Sequence, residues 1–313
     1  MTALLLALIL VPLLLPFAAP PLARRVLDRL PPTHALSILT ATALALAASC
    51  AAALGTLVLT GLLKLPPLAA LGELIHPLRT PSDLLMLPAA TLASGALALT
   101  VCTLGRSALR QIGAFRTART QAGRRPAAGD LCVIESPHAD AYALPGRPHR
   151  IVVTTAMLRT LNAAEREALF AHERAHNRAG HHYFLAAAEL CAHCHPALRT
   201  LRTDIRFAAE RVADEAAASA VGDRRLTARA IARAALAGHA APSTRPDFAP
   251  AATTGPVPRR VTALLSPAHG RPRAAPWIAL ALAAGMALSA GTTTAAVLGV
   301  HHQVEVAQGE EHD

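Results

Sequence analysis

Four apolar runs, at 3–19, 35–63, 84–104 and 276–300, constrain this chain more than any other feature. Each is long enough to cross a hydrocarbon slab as an α-helix, which takes roughly 17–25 residues. The remaining composition agrees. Hydrophobic residues make up 53% and charged residues 16%, whereas a soluble domain carries about 25% charged residues. Aromatics are only 3%, so no strong Trp/Tyr belt is expected at the interfaces. The expected fold class is a mainly α membrane protein, with about four transmembrane helices and a small α+β domain.

The first run lacks a basic segment before it and a clear small-residue cleavage site after it. It reads as a retained helix, kinked at Pro12 and Pro16. Arg24, Arg25 and Arg29 follow it. Arg106, Arg110, Arg116, Arg119, Arg124 and Arg125 follow the third run, and the end of the chain is acidic, with Glu305, Glu310, Glu311 and Asp313. Short arginine-rich flanks favour the cytoplasm. The expected topology is therefore multi-pass in the cell membrane, with both termini outside and residues 106–275 inside. The net charge of +10 fits this arrangement. Nucleic-acid binding is not expected, because the arginines flank apolar runs and the interleaved aromatics of a single-strand binder are missing.

The expected division is a membrane domain at 1–108, a cytoplasmic domain at 109–273, a fourth transmembrane helix at 274–300 and a short acidic tail at 301–313. Within the cytoplasmic domain, 131–134 and 151–155 read as short strands. Asn162 with Glu165 forms a capping-box pattern, so a helix should run from there to a stop at Gly180. Further helices are expected over 183–202 and from about Asp204. Residues 64–82 and 240–258 read as connectors, the second rich in Pro, Ala and Thr.

The capped helix carries His172-Glu173-Arg174-Ala175-His176, an HExxH pattern. Four-residue spacing puts both imidazoles on one helical face, where they can share a metal, with Glu173 beside them to take a proton from metal-bound water. Neutral imidazole suits zinc, and a catalytic zinc needs a third protein ligand and an open position. Glu210, His182 and Glu189 are the candidates. His182 stands at the distance used in the HExxHxxGxxH class, but Ala179 occupies the glycine position and the glycine comes one step late, at Gly180. Glu210 is therefore preferred, with Asp214 on the same helical face four residues on, and Glu189 ranks last.

HERAH followed by Glu210-Arg-Val-Ala-Asp214-Glu resembles the integral-membrane gluzincin peptidases. That group includes the CAAX prenyl endopeptidases, the membrane heat-shock proteases and the beta-lactam sensor-transducers of the BlaR/MecR type. Residues 140–146 and 151–155 resemble the family's substrate-edge strands, and 259–265 the segment that closes its protease domain. The resemblance implies that the α+β domain at 109–273 is a zincin-type peptidase domain, with one zinc ion per chain bound by His172, His176 and Glu210. It implies Glu173 as catalytic base, Asp214 as partner of a ligand histidine, and Ile151, Val152, Val153 and Thr154 as a strand that pairs with substrate. Three runs, a peptidase domain and a fourth run look most like the BlaR/MecR branch. Those receptors carry a large extracellular sensor domain where this chain has a short tail, so drug sensing is not expected.

The five cysteines, Cys50, Cys102, Cys132, Cys191 and Cys194, have no regular spacing and do not suggest a disulfide framework. Cys191-Ala-His-Cys194-His195 matches the CxxCH pattern of covalent haem, but such attachment occurs outside the cytoplasm, so a packed helix is the expectation. The functional expectation is a zinc endopeptidase acting on protein or peptide substrates at the cytoplasmic face, in regulation or quality control. The alternative is a catalytically silent transducer or scaffold that keeps the peptidase fold. Tyr142 and the His181–His182 pair are candidates for stabilising the oxyanion.

Overall fold

The computed structural model describes residues 2–65, 67, 83–124, 127–238, 256–266 and 276–308. It is mostly helical with one small sheet, and four of its helical stretches are long and apolar enough to cross a membrane: Ala7–Arg29, Pro32–Leu62, Met86–Thr120 and Trp277–Val306. Most of the connectors expected at 64–82 and 240–258, Arg125, and the tail beyond Gln308 lie outside the described residues.

Prolines shape the first span. Helix α1 (Thr2–Leu14) passes into a 3-10 turn at Leu15–Ala18 and then into α2 (Ala19–Arg29). Pro12 and Pro16 each lack an N–H, so the α-helical ladder cannot run unbroken past them. Pro20 and Pro21 then sit in the first turn of α2, where the missing donors are harmless. The helix does not stop at residue 19 as the apolar run does. Arg24, Arg25 and Arg29 belong to α2, while Ala23, Val26 and Leu27 bury its other face.

Helix α3 (Pro32–Leu62) follows the sequence expectation closely. Helix α4 (Asp83–Gly123) does not, because it continues well past Leu104. Its 41 residues span about 60 Å at ~1.5 Å per residue, twice the thickness of a hydrocarbon core. Hydrophobicity ends near residue 104, yet nothing in the following Ala, Arg, Gln and Leu breaks a helix. The extra turns brace the sheet: Phe115, Ala118 and Ala122 pack on Cys132, Tyr142, Leu144 and Val152.

The sheet contains β1 (Ala127–Ala128), β2 (Leu131–Ile134), β3 (Ala141–Leu144) and β4 (Arg150–Thr154), in the order β1-β2-β4-β3. Strand β4 runs parallel to β2 and antiparallel to β3. Ile151, Val152, Val153 and Thr154 thus form an inner strand, hydrogen-bonded on both sides. This corrects the expectation that they offer an edge to substrate, since their backbone donors and acceptors are already in ladders. The edge on that side is β3. Thr155 is not in the strand either; it opens α5 (Thr155–Thr160), capped by the Thr154 hydroxyl, which accepts from the Met157 N–H.

Helix α6 (Ala163–Arg178) has the expected ends. The Asn162 side chain accepts from the Glu165 N–H at 2.9 Å, and Glu165 accepts from the Asn162 N–H at 3.0 Å. Such a cap contributes about 1 kcal/mol. Gly180, at φ +64°, turns the chain into α7 (His181–Cys194). The helix expected over 183–202 is in fact two. His195 is extended before Pro196, as proline requires of its predecessor, and α8 (Leu198–Val221) begins after it. Helices α9 (Arg224–Gly238), α10 (Val257–Leu265) and α11 (Pro276–Gln308) complete the fold.

One core joins the candidate spans to α7 and α8. Leu36, Leu39 and Leu46 of α3 meet Leu185 and Ala188 of α7, Leu201 and Ile205 of α8, and Ile278 of α11. A second cluster ties Ile9, Leu57, Met86, Ala93 and Val300 together at the opposite end of α3.

Candidate metal centre

Helix α6 presents His172 and His176 one turn apart on its buried face, with their Nε2 atoms 3.0 Å from each other. Helix α8 crosses this face and delivers Glu210. Its Oε2 lies 3.4 Å from His172 Nε2 and its Oε1 3.7 Å from His176 Nε2. Ligand atoms bound about 2.0–2.1 Å from one tetrahedral ion would stand roughly 3.3 Å apart. The three observed separations bracket that value, and two imidazoles with one carboxylate are a donor set that suits zinc. Among the described residues this is the one group of three or more His, Cys, Asp or Glu side chains placed to hold a metal ion. Glu173 follows His172 in the chain and is fully buried, and its charge reaches Arg260.

A second layer of contacts orients the ligands. His172 Nδ1 lies 3.0 Å from Asp214 Oδ1, so its Nε2 is the nitrogen turned toward the other ligands. His176 Nδ1 is 2.7 Å from His181 Nδ1. Arg260 of α10, with no exposed surface, donates from Nε and Nη2 to the Asp214 carboxylate at 2.8 and 2.7 Å. Its Nη1 lies 3.0 Å from Glu210 Oε2. One buried guanidinium thus bridges the proposed ligand carboxylate and the carboxylate behind the first histidine. Metal ligands are commonly held in this way by groups that fix tautomer and orientation.

The electrostatics follow from this packing. Burial works against charge on His172, but the carboxylates of Asp214 and Glu210 overcome it and push its pKa up to about 9. Burial, with His172, His181 and Arg260 nearby, holds His176 well below the usual range. Burial likewise brings His181 down to about 4 against the pull of Glu210. Burial opposes charge on Asp214 as well, yet Arg260 and then His172 keep its carboxyl far below the usual carboxylate range. His176 and His181 are thus held neutral, the form in which an imidazole nitrogen can bind a metal ion.

The other candidates lie elsewhere. His182 is half-buried with its ring tilted on Tyr183, outside the three-residue group. Glu189 accepts from Arg202 at 2.9 Å and faces His193 at 3.5 Å. Tyr142 is packed into the core that α4 makes with the sheet. Cys191 is buried in the shared helical core, and the His195 ring meets Phe17 edge-on at 4.9 Å. The sheet is fastened to α6: Asn177 Nδ2 donates to the Arg150 carbonyl at 3.2 Å, and Arg174 binds Asp130 through two contacts at 2.7 and 2.9 Å.

Two residues of the site are not singled out by the sequence. His181 stands there only as half of a histidine pair, although its place next to Gly180, where the chain turns back, is the signal that it faces α6. Arg260 carried no usable signal, since it is one of two adjacent arginines in a short amphipathic helix.

Residues 110–199 match the model of Peptidase family M48. The match runs from the second half of α4 to the start of α8, and so includes the sheet and His172, Glu173 and His176. It supports a metallopeptidase. Glu210, Asp214 and Arg260 lie beyond it, and their assignment stands on the geometry. No curated protein and no solved structure matches the chain.

Proposed function

We propose that this chain is a membrane-bound zinc endopeptidase, most like the BlaR/MecR type, that cleaves protein substrates at the cytoplasmic face in regulation or quality control. The observation that carries the reading is the buried convergence of His172, His176 and Glu210, with Glu173 beside them. These three would hold the ion, which when bound supplies a Lewis acid and makes its water acidic enough to ionise near neutrality. Glu173 accepts the water proton and passes it to the leaving amine. Asp214 and His181 hold the two imidazoles so that Nε2 faces the ion, and Arg260 holds Asp214 and Glu210. The outer edge of β3, residues Ala141–Leu144, is the strand we assign to pair with an extended substrate. Helix α6 packs against β3, which supports its nearness to the site.

The ligand set is tested by metal content. Glu210→Ala should empty or weaken the site, because two histidines alone under-coordinate zinc. His182→Ala should leave it full. Zinc lost from His182→Ala and kept in Glu210→Ala would replace Glu210 with a third histidine.

Membrane placement rests on the four apolar helices and on the arginine flanks, and we retain the division into membrane and peptidase segments given above. The guanidinium carbons of Arg25 and Arg29 both lie 5.9 Å from the Trp277 ring centroid, which ties the end of the first span to the start of the last. Their closeness supports the proposed topology, which puts both on one side. Reporter fusions after Arg125 should report cytoplasm, and fusions after Gln308 the outside. The reverse at both places would overturn the topology.

A further inference from the structure

A cavity of about 380 Å³ lies where the end of α2 meets α8 and α10, and its lining includes Leu27, Asp28, Phe207, Arg211 and Arg259. The charged residues in that lining are Arg211, Arg259 and Asp28. Arg211 is only 9% exposed, and its Nη2 is buried with no hydrogen-bond partner among the described residues. The nearest carboxylate, Glu215, is 3.9 Å away and is already held by both Nη atoms of Arg224. Arg259 lies over the Phe207 ring at 4.6 Å and reaches Asp28 only at 3.5 Å. A buried guanidinium has five N–H donors to satisfy, and an anion with several acceptor oxygens is the ligand that satisfies them best.

We propose that this cavity binds the phosphate of an anionic membrane phospholipid. The source follows from position. Leu27 and Asp28 close the candidate span Ala7–Arg29, so the cavity sits where an apolar wall gives way to arginines. Leu27 and Phe207 are apolar residues of the lining, and the two guanidiniums take the headgroup. The inference rests on the membrane placement of α2 and is independent of peptidase activity. Its structural consequence reaches the metal centre. Arg211 directly follows Glu210, and Arg259 directly precedes Arg260, so an occupied cavity steadies both elements that hold the site.

The test uses the full chain, purified and delipidated in a neutral detergent, with unfolding temperature and native mass spectrometry as readouts. Phosphatidylglycerol, phosphatidylcholine and inorganic phosphate are titrated separately against wild type, Arg211→Gln, Arg259→Gln and, as a control, Arg110→Gln on the exposed face of α4. Phosphatidylglycerol should bind wild type saturably and raise its unfolding temperature. Each cavity variant should bind it about tenfold more weakly, while Arg110→Gln binds as wild type. Arg259 is half-exposed, so its variant reports even if Arg211→Gln does not fold. Three results would overturn the proposal: undiminished binding in Arg259→Gln, equal stabilisation by phosphatidylcholine, or inorganic phosphate reproducing the whole effect at the same concentration, which would make this a site for soluble phosphate. Failure of the lipid arm beside fusions that confirm the topology would reject the cavity and spare the membrane reading.

Discussion

Glu173→Gln should lower peptide cleavage by a factor on the order of 10²–10⁴, the usual loss when a general base is removed, and leave zinc in place. The side chain is fully buried beside His172, and it is not among the three residues that converge on the metal position. Glutamine keeps the shape of glutamate and cannot take a proton. Parallel measurement of cleavage and zinc content separates the outcomes. Cleavage lost with zinc retained assigns Glu173 as base. Normal cleavage would remove it from the mechanism, and a zinc-bound wild type that cleaves no peptide would favour a silent transducer.

Arg260→Met should destabilise the fold by about 3–5 kcal/mol, the usual cost of removing one partner from a buried charge cluster. The arginine has no exposed surface and serves both Asp214 and Glu210. Without it, the buried carboxylates of Asp214 and Glu210 have only the His172 ring between them, and a permanent cation is lost. A loss of that size is a large share of the roughly 5–15 kcal/mol that keeps a domain folded. Urea titration followed by helical circular dichroism reads it directly, and zinc should restore part of the stability, because the ion supplies positive charge at the same place. Arg259→Ala removes a half-exposed cation one residue earlier and should cost within about 1 kcal/mol. Similar midpoints for the two variants would show that the bridge contributes nothing special.

What the sequence makes legible is local. Asn162, Glu165 and Gly180 mark both ends of α6, because capping and a left-handed turn depend on side chains within a few residues of the boundary. The four-residue step from His172 to His176 likewise encodes its own geometry, and the parallel step from Glu210 to Asp214 marks one face of α8. Hydropathy locates the spans but not their ends. It stops at Leu104, whereas α4 continues to Gly123, because helix propensity outlasts hydrophobicity. Strand order is not local at all. The apolar stretch 151–154 looks the same whether it lies inside a sheet or at its edge, and only pairing with β2 and β3 reveals which. The contact of Arg260 with Asp214 joins residues 46 positions apart, and no periodicity spans that distance. The break at His195–Pro196 was legible in principle, since the residue before proline avoids helix, but the apolar pattern on both sides masked it.

Zinc stoichiometry tests the central claim most directly. Wild-type protein purified without added chelator should carry about one zinc per chain, and His172→Ala and His176→Ala should each lose it, because each removes one of only three protein ligands. Circular dichroism on the same samples shows that the helices persist, so that lost metal is not mistaken for lost fold. Full zinc retained in both folded variants would contradict the account, since the convergence of His172, His176 and Glu210 would then not be the metal centre.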